Sequence, residues 1–78
     1  MLNGFKMFYA DVIDSKTKEQ ALWCVIEQDY DAALKMFIEE ANNTWDRYEY
    51  YFYEIEDKDI IKSFAEYYED IVAGIYEM

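Results

Sequence analysis

Residues 46–59 read DRYEYYFYEIEDKD. From Tyr48 to Tyr53 only Glu49 is not aromatic. Successive side chains of a strand point to opposite faces, so a half-buried strand alternates apolar with polar residues. Read as a strand over 47–55, this segment carries rings on both faces. It then turns acidic, through Glu54, Glu56, Asp57 and Asp59. The rest of the chain must therefore supply cover for two aromatic faces and accommodate a corner rich in carboxylates.

Two more strands precede it. Residues 4–13, GFKMFYADVI, and 20–27, QALWCVIE, are rich in β-branched and aromatic side chains. The polar connection between them, DSKTKEQ, predicts an antiparallel hairpin. The next run, DYDAALKMFIEEANN, has helical spacing. Tyr30, Ala33, Leu34, Phe37, Ile38 and Ala41 recur at intervals of three and four, with Lys35, Glu39 and Glu40 pointing away. Asp29 is a candidate N-cap, and Asn42 and Asn43 are candidate terminators. Beyond the aromatic strand, DKDIIKSFAEYYEDIVAGIYEM predicts a second helix, capped by Asp57 or Asp59. Its apolar stripe is Ile60, Ile61, Phe64, Tyr68, Ile71, Val72 and Ile75, and Gly74 weakens its end.

The expected fold is α+β, in the order ββαβα, as one domain over residues 1–78. The three strands would form an antiparallel sheet in the order 2-1-3, with both helices on one face. Ala10 and Cys24 suit close approach of helices to a face bearing Phe8, Val12, Leu22 and Ile26. Met7, Tyr9, Trp23 and Val25 would then lie on the other face with alternate aromatics of the third strand.

Composition limits what such a domain can do. A domain of about this size buries only about 60% of its unfolded surface, but 54% of these residues are apolar, which is ample core material. Seven Lys and Arg against 18 Asp and Glu leave a net charge of −11. That balance repels phosphates, so direct binding to nucleic acid or to anionic membranes is not expected. The lone Cys24 lies in the apolar run ALWCVI and reads as a buried small side chain, consistent with a reducing cytoplasm. The N-terminal MLNGFKMFYAD lacks the pattern of a signal peptide, and no apolar run reaches the length of a membrane span.

No motif for catalysis stands out. Histidine is absent, which removes the usual acid–base group and the commonest metal ligand. Ser15 and Ser63 lie in no nucleophile motif, and no glycine-rich loop is present to cradle phosphate. Glu54, Glu56, Asp57 and Asp59 lack the glycine and the spacing of a calcium loop, so helix capping and solvation explain them. The expectation is a chain that is not an enzyme, with no cofactor, no metal and no catalytic residues.

The surface carries the functional signal. Glu66, Glu69, Asp70 and Glu77 would form an acidic stripe on the second helix, with neighbours about 5–6 Å apart. Phosphates of a nucleic-acid strand repeat on a similar scale, and arginine donates equally to carboxylate or phosphate. Nine tyrosines exceed what the core needs, and tyrosine is enriched at interaction hot spots.

In size, acidity, lack of histidine and the elements DRYEYYFYEIEDKD and SFAEYYED, the chain resembles the small acidic α/β proteins of bacteriophages and mobile elements that block host defence. These include anti-CRISPR and anti-restriction inhibitors and DNA mimics. The resemblance is one of overall character, and no contact residue is carried over from it. It implies an inhibitor in the cytoplasm of a bacterial host that occludes the nucleic-acid site of a basic defence protein. The residues expected to meet that partner are Tyr48, Tyr50, Glu54, Glu56, Asp57 and Asp59, with Glu66, Glu69 and Asp70 extending the negative field. Alternatives are an immunity protein or antitoxin against a basic nuclease, or a homodimer formed through Tyr9, Trp23 and the third-strand aromatics.

Overall fold

The structure is a computed structural model and describes residues 4–68 and 71–77. Its elements are β1 (Lys6–Asp14), β2 (Gln20–Glu27), α1 (Tyr30–Thr44), β3 (Tyr48–Glu54), α2 (Lys58–Tyr67) and β4 (Gly74–Glu77). The sheet is antiparallel throughout, in the order β3-β1-β2-β4. The expected 2-1-3 arrangement is present within it, and a fourth strand is added beside β2.

The hairpin closes on Asp14. Its carboxylate accepts from the Lys16 N–H (3.0 Å) and the Thr17 hydroxyl (2.9 Å), which holds it below the usual carboxylate range. Lys18 takes the left-handed conformation, φ 66°, and its N–H donates to Asp14 O at 2.8 Å. This turn sets the register that pairs Phe8 with Val25 and Ala10 with Trp23.

That register corrects the assignment of faces. Residues directly paired across two strands share a face. Phe8, Ala10 and Val12 therefore lie with Val25, Trp23 and Ala21, and the other face holds Met7, Tyr9, Cys24 and Ile26. Both faces of β2 are apolar, so its alternation could not reveal its parity, and the whole strand is turned over relative to expectation: Trp23 and Val25 join Phe8 and Val12, while Leu22, Cys24 and Ile26 join Met7 and Tyr9.

α1 covers the first face. Its N-cap is Asp29, which accepts from the Ala32 N–H at 2.8 Å, and Ala33, Phe37 and Ala41 are buried against the sheet. It ends through an extended Trp45, whose N–H donates to Ala41 O, rather than through a left-handed Asn42 or Asn43. Phe37 lies at the centre of an aromatic layer. Its ring is 5.7 Å from Trp23, 5.5 Å from Phe52 and 5.2 Å from Tyr50.

α2 lies on the opposite face, which corrects the expectation that both helices share one. Ile61, Phe64, Ala65 and Tyr68 pack against the cluster of Met7, Cys24, Ile26, Ile55 and Ile71. None of its own residues is buried. The tail is also not one helix. α2 ends at Tyr67, and β4 follows as an added strand with Cys24 opposite Tyr76. Tyr76 replaces the continued helix as the anchor. Its ring packs on Phe64 and Tyr68, and its hydroxyl donates to Val72 O at 2.8 Å. Ile75, expected on the helix stripe, instead packs into the α1 cluster.

The two helices should therefore differ sharply in what they contribute. Phe37→Ala is expected to destabilise the domain by about 3–5 kcal/mol, a large fraction of the total for a small domain. Phe64→Ala, in a half-buried position, should cost about 1–2 kcal/mol. Urea denaturation followed by tyrosine and tryptophan fluorescence measures both, and equal losses would contradict the asymmetry.

Candidate protein-docking surface

The stretch 46–59 divides by parity. Tyr48, Tyr50, Phe52 and Glu54 pair with the β1 residues of the α1 face, and Glu49, Tyr51 and Tyr53 with those of the opposite face. Tyr48 belongs to the rim of the aromatic layer, 6.2 Å from Trp45 and 6.5 Å from Phe37. Its hydroxyl donates to Asn42 Oδ1 at 2.8 Å. Burial pushes its phenol up, and the neighbouring Tyr50 adds to the effect. Tyr50 leans on Phe37 with part of its ring exposed. Both tyrosines expected to contact a partner thus already serve the core.

The free rings are the other two. Tyr51 is 74% and Tyr53 52% exposed, which makes them the outward tyrosines of this strand. Neither is among the residues expected from the sequence to meet an outside partner. Their parity relative to Phe52, which faces the small Ala10 across β1, was the available signal. α2 covers the end of this face around Met7, Cys24 and Ile26, but the end bearing Ile13 and Leu22 stays exposed. Tyr9 links the two ends, its ring 5.2 Å from Tyr53. Its phenol is raised by burial first, then by Asp11 and Tyr53. Asp11 accepts from Gln20 Nε2 at 2.8 Å, and Glu49 is exposed beside Ile13 on the paired strand. The result is an apolar and tyrosine patch edged by carboxylates.

The acidic corner forms as expected at the β3–α2 junction. Glu54, Glu56, Asp57 and Asp59 are all exposed. Asp57 is the N-cap of α2, accepting from the N–H groups of Asp59 (2.9 Å) and Ile60 (3.4 Å), so its carboxylate has a structural task. Asp59 sits in the first turn, where the helix dipole favours a negative charge. The acidic stripe does not assemble on one helix. Glu66 is exposed on α2, Glu77 lies on β4 opposite Trp23, and Glu69 and Asp70 lie outside the described residues. Three of the basic residues, Lys16, Lys18 and Arg47, stand at the other end of β3, by the hairpin turn.

Cys24 is fully buried, and burial pushes its thiol up to about 12. A thiol held neutral in this way is a core residue and a poor nucleophile. Among the described residues there is no cluster of three or more metal-type side chains, and no helix is long and apolar enough to cross a membrane. An open groove of about 560 Å³ runs along α2, lined chiefly by Met7, Ile60, Phe64, Tyr67 and Tyr68.

No family model, curated protein or solved structure matches the chain.

Two measurements test these assignments. Asp57→Ala should cost about 1 kcal/mol by removing the α2 cap, measured by thermal or urea unfolding. Cys24 should resist alkylation in the native protein at about pH 8 and react only as fast as the chain opens. The fold favours the protonated thiol, so this contribution to stability is complete below the ordinary value of 9.0 and fades as pH rises towards about 12. Rapid native labelling would place Cys24 at the surface.

Proposed function

We propose that this chain is a protein-binding inhibitor that docks on a basic, nucleic-acid-handling protein and occludes its nucleic-acid site. The observation that carries this reading is the half-covered sheet face. Tyr51, Tyr53, Ile13 and Leu22 are exposed together, with Asp11 and Glu49 beside them, on a chain of net charge −11. Exposed tyrosines supply rigid contact area, and the surrounding field steers association with a basic partner. The corner of Glu54, Glu56 and Asp59, with Glu66 beyond it, extends the same field. The action is binding rather than catalysis, in the cytoplasm of a bacterial host, and the target is a defence protein such as a CRISPR effector. A basic nuclease neutralised by an immunity protein or antitoxin would be met through the same chemistry.

A second reading draws on the same face. Two copies packed through Ile13, Leu22, Tyr51 and Tyr53 would cover the exposed apolar surface without an outside partner. Trp23, once expected in such an interface, is buried beneath α1 and would take no part.

A target captured from bacterial lysate and purified provides the test. Its affinity should fall by at least about tenfold between about 50 mM and 500 mM salt, and nucleic acid should compete for it. Tyr51→Ala and Tyr53→Ala should each weaken binding by about tenfold or more while leaving the unfolding midpoint nearly unchanged. Affinity indifferent to salt and to nucleic acid would rule out occlusion by mimicry. Sedimentation over micromolar concentrations addresses the dimer, which a monomer throughout would exclude.

A further inference from the structure

Among the described residues, β3 lies at the margin of the sheet and is hydrogen-bonded to β1 alone. Its register identifies the backbone groups that remain free. Ile55 N–H donates to Met7 O at 2.8 Å, and Ser15 N–H donates to Arg47 O at 3.0 Å. Both pairs join odd-numbered residues in the register that places Phe8 opposite Glu54. Backbone N–H and C=O groups alternate in direction along an antiparallel strand. Glu49, Tyr51 and Tyr53 therefore turn theirs towards β1, and Tyr48, Tyr50, Phe52 and Glu54 turn theirs outward. The free edge offers alternating donors and acceptors over about 20 Å. The opposite margin, β4, has only four residues.

Proteins usually blunt such an edge with proline, charged side chains, a bulge or a very short strand. β3 has no proline, lysine or bulge, and its two glutamates are the only such device within it. Its sequence is YEYYFYE, and it pairs with β1 without interruption over seven positions. Its charges are all negative. Glu49 and Glu54 lie within it and Glu56 just beyond it, with Arg47 just before it, on a chain of net charge −11. This disfavours a second copy of the chain as the occupant and favours a cation. A strand laid beside β3 would have side chains next to Tyr51, Tyr53 and Glu49 on one face, and next to Tyr50 and Glu54 on the other. Arginine suits both kinds of neighbour, as an ion-pair partner for the glutamates and stacked on the tyrosine rings.

We propose that the outer edge of β3 captures an extended, arginine-bearing segment of a partner protein as a fifth strand of the sheet. This gives the partner proposed above a mode of attachment, and it rests on that reading only for the partner being basic.

The test uses synthetic peptides of about ten residues and not the natural target, so it stands apart from whether a nucleic-acid site is occluded. The probe alternates Arg and Val. One control alternates Glu and Val, and another keeps the Arg–Val sequence but carries N-methyl groups on every residue, so that neither edge of the peptide can donate. On binding the probe, amide exchange at Tyr48, Tyr50, Phe52 and Glu54 in the full chain should slow by at least about tenfold, with Glu49, Tyr51 and Tyr53 unchanged. Neither control should produce this. Tyr50→Pro removes an outward donor without touching the bonds to β1 and should abolish binding, whereas Tyr50→Ala should retain it. Equal binding of the N-methylated peptide, or no change at the four outward amides, would overturn the proposal. So would their protection in the free protein accompanied by a dimer in sedimentation, because the edge would then be occupied by a second copy. The peptide comparison decides the matter even if Tyr50→Pro fails to fold.

Discussion

The packing of Phe37 into the aromatic layer organises most of this structure. One ring from α1 meets Trp23 of β2 and both Tyr50 and Phe52 of β3. Phe52 in turn stacks on Phe8 of β1 at 5.6 Å, and Trp23 stacks on Trp45 at 5.1 Å. A single helix thus joins three strands through aromatic contacts, each able to add about 0.5–1.5 kcal/mol beyond simple burial. Because side chains alternate along β3, committing Tyr48, Tyr50 and Phe52 to this layer forces Tyr51 and Tyr53 to the other side. The exposed surface is a geometric consequence of how the core is made.

The other side is only partly covered by the described residues. α2 has ten residues and is about 15 Å long, whereas β1 has nine residues and extends about 30 Å. The molecule is elongated, 38 × 20 × 19 Å. A short helix placed over Met7, Cys24 and Ile26 necessarily leaves the far end of the sheet open. α2 also buries none of its own residues, with Ile60 and Tyr67 left exposed. Its attachment depends on the Asp57 cap, the half-buried Phe64 and the aromatic contacts to Tyr68 and Tyr76. An element held so lightly opens at lower free energy than the α1 layer does.

The features readable in the sequence were those with a local cause. The DSKTKEQ turn, the strands it joins, the Asp29 cap and the three-four spacing from Tyr30 to Ala41 all act within a few residues of one another. The placement of Trp23 and Val25 depended instead on the β1–β2 register, and the run from Ala21 to Ile26 carries no polar residue to mark its faces. The tail misled for a different reason. Ile71, Val72 and Ile75 fit a helical period by spacing, yet a free edge on β2 offered Ile75 and Tyr76 a ladder to complete, and tertiary pairing outweighed the pattern. Of the site, the acidic corner was legible because it coincides with a helix cap. The outward tyrosines were not, because five rings in six positions conceal which two face away from the α1 layer.

The negative charge and the open edge of β3 are better understood together than apart. A long, aromatic strand with unpaired backbone groups would ordinarily invite association between copies. Here every copy carries a net charge of −11, and the strand itself holds Glu49 and Glu54 and no cation. Repulsion between identical chains opposes the encounter before short-range hydrogen bonds can form, while a basic chain is drawn in by the same field. Discrimination of this kind is a difference in free energy between two occupants of one edge. In the proposed complex the carboxylates provide the unfavourable side of that difference, and the tyrosines provide the contact area for the arginine-bearing strand.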